Sequence, residues 1–72
     1  MAKDVKLIKF GKRLKDIRKS KKLTQAKLAE KIDLSTNFVG MVERGERNTT
    51  IDKLFLLCEA LDVSLSEFFA NF

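Results

Sequence analysis

Thr36, Asn37, Arg44, Arg47 and Asn48 fall within a span of 13 residues. Their side chains suit one kind of chemistry, hydrogen bonding to the edges and backbone of a nucleic acid. Asparagine can pair bidentately with adenine, and threonine can offer a hydroxyl or touch a thymine methyl. Arginine and asparagine can also hold phosphates. Residues for bond-making chemistry are scarce. The chain has no histidine, and its one cysteine, Cys58, lies on an apolar stripe with no base at a recognisable spacing. No ligand spacing suits a metal, and no glycine-rich loop suits a bound phosphate. The expectation is no catalytic residue, no metal site, no cofactor and no small-molecule ligand. Cys58 reads as a small core residue.

The polar residues need elements to hold them, and the stretch from Thr24 to Arg44 supplies these. Thr24 is placed to cap a helix in which Leu28, Ala29 and Ile32 share one side, and Lys27, Glu30 and Lys31 the other. Asp33 and Leu34 break the pattern, and Asp tolerates turn geometry. Ser35 can cap a second helix. There Val39 and Val42 face inward, while Thr36, Asn37, Gly40, Met41 and Arg44 occupy the opposite arc. Phe38 lies at the edge of that arc, where it either packs inward or touches a sugar or a thymine methyl. Gly40 leaves the backbone bare for close approach, and Met41 offers an adaptable apolar contact. The face carries no arginine, so strong reading of guanine is not expected. Two short helices joined by a tight turn, the second with a polar outer face, read as a helix-turn-helix.

Thr24-Gln25, Leu28-Ala29 and Glu43-Arg44-Gly45 resemble the pattern of the phage-repressor (Cro-like) helix-turn-helix family. The following Arg47-Asn48 and the run Thr50 to Leu54 resemble more narrowly the small controller proteins of bacterial restriction–modification systems. The resemblance spans nearly the whole chain. It implies that Thr36 and Asn37 read bases, and that Gln25 bonds a phosphate and braces the recognition helix. It also implies that Arg18 lies beside Glu43 as a structural ion pair between the first helix and the recognition helix. The first-turn amides after Thr24 would offer an anion site. Arg44, Arg47 and Asn48, at the far end of the recognition helix and in the loop beyond, could grip the DNA backbone on the other side of the groove. Arg44 has a competing role as an ion-pair or helix-dipole partner.

The remainder of the chain completes an all-α domain of five helices, a single unit over residues 1–72. Residues 1–4 read as a loose terminus. From Val5 to about Lys19, Leu7, Phe10, Leu14 and Ile17 recur at helical spacing. Gly11 interrupts that helix and implies a packing reason. Gly45 is placed as the left-handed residue that ends the recognition helix. Thr49-x-x-Asp52 reads as a capping box, opening a fourth helix with Ile51, Leu54, Leu57, Cys58 and Leu61 on one apolar stripe. Ser64-x-x-Glu67 opens a fifth with Leu65, Phe68 and Phe69.

Composition bounds the partners. Residues 1–31 hold twelve Lys/Arg against three Asp/Glu, whereas residues 32–72 hold three against seven. That asymmetry suits a polyanion, although a solvated lysine-rich helix would look the same. No apolar run approaches a membrane span. Lys3, Asp4, Lys6 and Lys9 interrupt any signal peptide, and a lone cysteine fits a reducing compartment. A cytoplasmic location follows.

A domain of 72 residues buries only about 60% of its unfolded surface. Phe55, Leu56, Phe69 and Phe72 exceed what so small a core absorbs, although Phe69 could complete the monomer. Exposed apolar patches of that kind mark interfaces. The resemblance implies that the C-terminal helices pair across a two-fold axis. The expected function is a transcriptional regulator that binds double-stranded DNA in the major groove as a homodimer. Two recognition helices about 34 Å apart would read a palindromic operator. A controller protein, a phage repressor and an antitoxin remain open. The alternative of another class is a basic amphipathic helix, residues 5–22, that acts on a membrane surface or a partner protein.

Overall fold

The computed structural model describes residues 4–72. Five helices follow one another: α1 (Val5–Ser20), α2 (Gln25–Lys31), α3 (Thr36–Glu43), α4 (Ile51–Leu61) and α5 (Leu65–Phe68). There is no strand among the described residues. Residues 1–3 of the expected loose terminus lie outside the described residues. Asp4 does not belong with them. Its carboxylate accepts the Lys6 and Leu7 amides at 2.8 and 3.4 Å and caps α1.

Each later helix starts on a hydroxyl. Thr24, Ser35, Thr50 and Ser64 accept the backbone N–H three residues on. At Ser64 the box is complete, because Glu67 returns a bond to the Ser64 amide at 3.1 Å. The expected box at Thr49 is corrected by one residue. Thr50 caps α4 through the Lys53 amide, while the Thr49 hydroxyl is buried without a hydrogen-bond partner. Ile51 thereby becomes the first residue of α4 and is 66% exposed, not part of the buried stripe.

The helix ends share one device. Lys22, Asp33, Gly45 and Asp62 each take a left-handed conformation just past α1, α2, α3 and α4. The next amide reaches back five residues, from Leu23 to Arg18, Leu34 to Ala29, Glu46 to Met41 and Val63 to Cys58. This satisfies carbonyls that would otherwise be orphaned. Leu23, Leu34 and Val63 then fold back onto the core. At Gly45 a side chain is doubly excluded, since φ is +74° and a Cβ would sit 2.9 Å from the Ile8 Cα.

The core comprises Leu14, Ile17, Leu28, Ala29, Ile32, Phe38, Val39, Val42, Leu57, Cys58, Leu61 and Phe68. Burial raises the pKa of the Cys58 thiol above its ordinary value, in keeping with an inert packing role. Gly11 has the packing reason its place implied. A Cβ there would collide with the Val42 and Glu43 carbonyl oxygens, so glycine lets α1 lie against the last turn of α3. None of the described helices is long and apolar enough to cross a membrane.

Candidate nucleic-acid interface

The exposed surface around α3 rests on one buried polar cluster. Arg18 of α1 and Glu43 at the end of α3 are each 7% exposed. Their side chains meet as a fork, Arg18 Nε to Glu43 Oε2 at 2.6 Å and Nη2 to Oε1 at 3.2 Å. Arg18 Nη1 also donates to the Leu23 carbonyl at 2.7 Å. Gln25, first residue of α2, donates through Nε2 to Glu43 Oε1 at 2.9 Å. The structure thus brings together Arg18, Glu43 and Gln25 and ties α1, α2 and α3 through one carboxylate. The bidentate geometry and the Gln25 bond offset the cost of burying the charges.

That cluster holds α3 with its first turn outward. Thr36 and Asn37 are exposed, Met41 is half-buried, and Phe38 is 5% exposed within the core. Of the two roles open to Phe38, the packing role is the one observed. Gly40 is buried. A Cβ there would lie 3.0 Å from Nη1 at the tip of the exposed Arg44 side chain and in ordinary contact, at 3.7 Å, with Gln25 Oε1. Polar groups therefore run from the first turn of α2 across α3. The Thr24 hydroxyl is occupied by the Lys27 amide at 3.0 Å.

Arg44, Arg47 and Asn48 lie at the end of α3 and in the loop beyond it. Arg44 makes an exposed ion pair with Glu46 at 3.1 Å, which contributes little in water. Asn48 accepts the Thr49 amide at 2.8 Å. The turn at Gly45 sends the chain back, and the Arg47 guanidinium lies 5.4 Å from the centre of the Phe38 ring, in the first turn of α3. Lys53 Nζ, from the first turn of α4, lies 5.1 Å from the same ring. Lys53 was absent from the sequence-based interface. Its only local signal was a position three residues after a capping hydroxyl.

The basic N-terminal half also divides in a way that charge counting missed. Arg13 donates to the Phe68 and Glu67 carbonyls at 2.7 and 2.6 Å, and Lys9 to the Phe72 carbonyl at 2.8 Å. These cations close the C-terminal end of α5 against α1. Phe69 packs on Phe68 and Phe72 at ring distances of 5.0 and 5.2 Å. It still leaves a third of its surface exposed, alongside exposed Phe55, Leu56 and Phe72.

Comparison with known proteins accords with this arrangement. Residues 14–68 match the helix-turn-helix family. The control protein C.MunI of Mycoplasma sp is 38% identical over 69 residues, covering 94% of this chain and 92% of its own. The crystal structure of the restriction-modification controller protein C.AhdI from Aeromonas hydrophila has a TM-score of 0.88 at 41% identity, covering 92% of this chain and all of that one. The controller C.Esp1396I, crystallised as a tetramer with its natural 35 base-pair operator, has a TM-score of 0.86 at 37% identity, covering 93% of this chain and 88% of its own. Some relatives are far longer: the chain spans 12% of the HTH-type transcriptional regulator PrpR of Mycobacterium tuberculosis, at 41% identity over 58 residues. The chain belongs to the helix-turn-helix family of DNA-binding transcription regulators.

Proposed function

We propose that this chain is a restriction–modification controller that binds a palindromic duplex operator as a homodimer in the cytoplasm and carries out no catalytic step of its own. In this reading Thr36 and Asn37 meet base edges in the major groove, with Gly40 and Met41 completing the face. Thr24, Gln25, Arg44, Arg47 and Asn48 hold phosphates around it. Phe55, Leu56, Phe69 and Phe72 pair with a second copy.

One observation carries the proposal. Thr36 and Asn37 are exposed on a first helical turn whose orientation is pinned by the Arg18–Glu43–Gln25 cluster. Exposed polar residues at the start of a recognition helix are those that reach bases in this motif. The controller assignment draws support from C.MunI and C.AhdI, which match over nearly their full lengths. Assembly on an operator draws support from the C.Esp1396I tetramer.

Selection from a random duplex pool tests the reading. The recovered sites should be inverted repeats with half-site centres about 34–36 Å apart. Recovered sequences without two-fold symmetry, or no enrichment at all, would overturn it.

A further inference from the structure

We propose that Lys53 is a second arm of a phosphate clamp, and that the Phe38 ring is the platform that positions Lys53 and Arg47 to receive one DNA phosphate between them. The proposal rests on the DNA-binding reading above.

The geometry brings two cations to one ring. The Arg47 guanidinium and the Lys53 ammonium come from different elements, a loop and the first turn of α4, yet both lie over one aromatic ring, at 5.4 and 5.1 Å from its centre. Each is within cation–π range. Two like charges brought to one small ring repel each other. None of the ion pairs among the described residues joins a carboxylate to either of them. An anion that both cations could contact would offset that repulsion, and phosphate suits a planar guanidinium and a compact ammonium alike. Phe38 directly follows Asn37 in the outward-facing first turn of α3, so a phosphate held there would flank bases read by that turn. Phe38 is itself buried, at 5% exposure. A buried ring is a fixed platform, and fixing two long side chains in advance lowers the ordering cost of binding.

Lys53→Gln removes the charge and keeps most of the stem. Arg47→Gln does the same for the other arm. Phe38→Leu keeps an apolar core side chain and removes the ring face. Each variant is first melted to confirm a folded domain. Binding to a selected duplex and to a random duplex is then measured across salt concentrations. Lys53→Gln should weaken both complexes to a similar degree and lower the slope of log K against log salt by about 1, as for one lost phosphate contact. Arg47→Gln should do the same. In the Phe38→Leu background, the Lys53→Gln loss should shrink, because the ammonium is no longer held.

An unchanged slope in Lys53→Gln, with Arg47→Gln behaving as stated, overturns the clamp and leaves the DNA-binding reading intact. A full Lys53→Gln loss in Phe38→Leu overturns the platform role. Wild-type protein that shows no salt-dependent duplex binding overturns both the clamp and the reading beneath it.

Discussion

The buried cluster at the heart of the interface makes a strong prediction about stability. Glu43→Leu would leave the Arg18 guanidinium buried with its hydrogen bond to the Leu23 carbonyl at 2.7 Å but no carboxylate beside it. Arg18→Met would leave the Glu43 carboxylate, whose side chain is 2% exposed, with the Gln25 amide alone. Breaking a buried pair by removing one partner costs about 3–5 kcal/mol. A 72-residue domain has a total stability on the order of 4–11 kcal/mol, at about 0.05–0.15 kcal/mol per residue. Either single change should therefore remove about half the stability. The double variant has no charge left to bury, and apolar replacement of both partners is often neutral. It should be more stable than either single variant, with a coupling energy above about 3 kcal/mol in a double-mutant cycle. Urea denaturation of the four proteins measures it. Additivity within about 0.5 kcal/mol would mean the two side chains act as independent surface charges, and the account of how α3 is pinned would be wrong.

Three other outcomes follow from single sites. Gly11→Ala should destabilise by about 1–3 kcal/mol through overpacking against α3, although helix propensity alone would make it stabilising by about 1 kcal/mol; the sign, read from thermal melts, separates the two. The Glu67 carboxyl is held below its ordinary pKa by the Ser64 amide and hydroxyl. Its contribution is present above the ordinary carboxylate range and fades as pH falls through it, so Glu67→Gln should flatten the acid limb of the stability–pH curve, and an unaltered limb would contradict this. Phe55→Ser should shift the protein toward monomer in sedimentation equilibrium and weaken full-site binding more than half-site binding. It is a cleaner probe than Phe69, because Phe55 is 48% exposed whereas Phe69 also packs on Phe68.

Much of this architecture is readable from local pattern. Thr24, Ser35 and Ser64 announce helix starts because capping chemistry is decided within three residues. Leu14, Ile17, Leu28, Val39 and Val42 announce their burial through helical spacing. What escapes is what local pattern does not encode. Thr49 and Thr50 are two adjacent hydroxyls, and choosing between them shifts α4 by one residue, which moves Ile51 from the core to the surface. Lys22 and Asp62 end helices in the conformation that glycine favours, so only the backbone reveals the stops they make. Arg13 finds its partners 54 and 55 residues away, a pairing that exists only once α5 has docked on α1. The return of Arg47 over Phe38, and the arrival of Lys53 beside it, likewise depend on the path of the whole loop.

The central claim is that the first turn of α3 reads bases, and Asn37 tests it most directly. Sites should be selected from one random duplex pool by the wild type and by Asn37→Ala, with affinities measured on the wild-type site. The prediction is relaxed preference at one position in each half-site, and a loss of about 1–3 kcal/mol on the wild-type site. An unchanged preferred sequence, bound by Asn37→Ala as tightly as by the wild type, would contradict the claim.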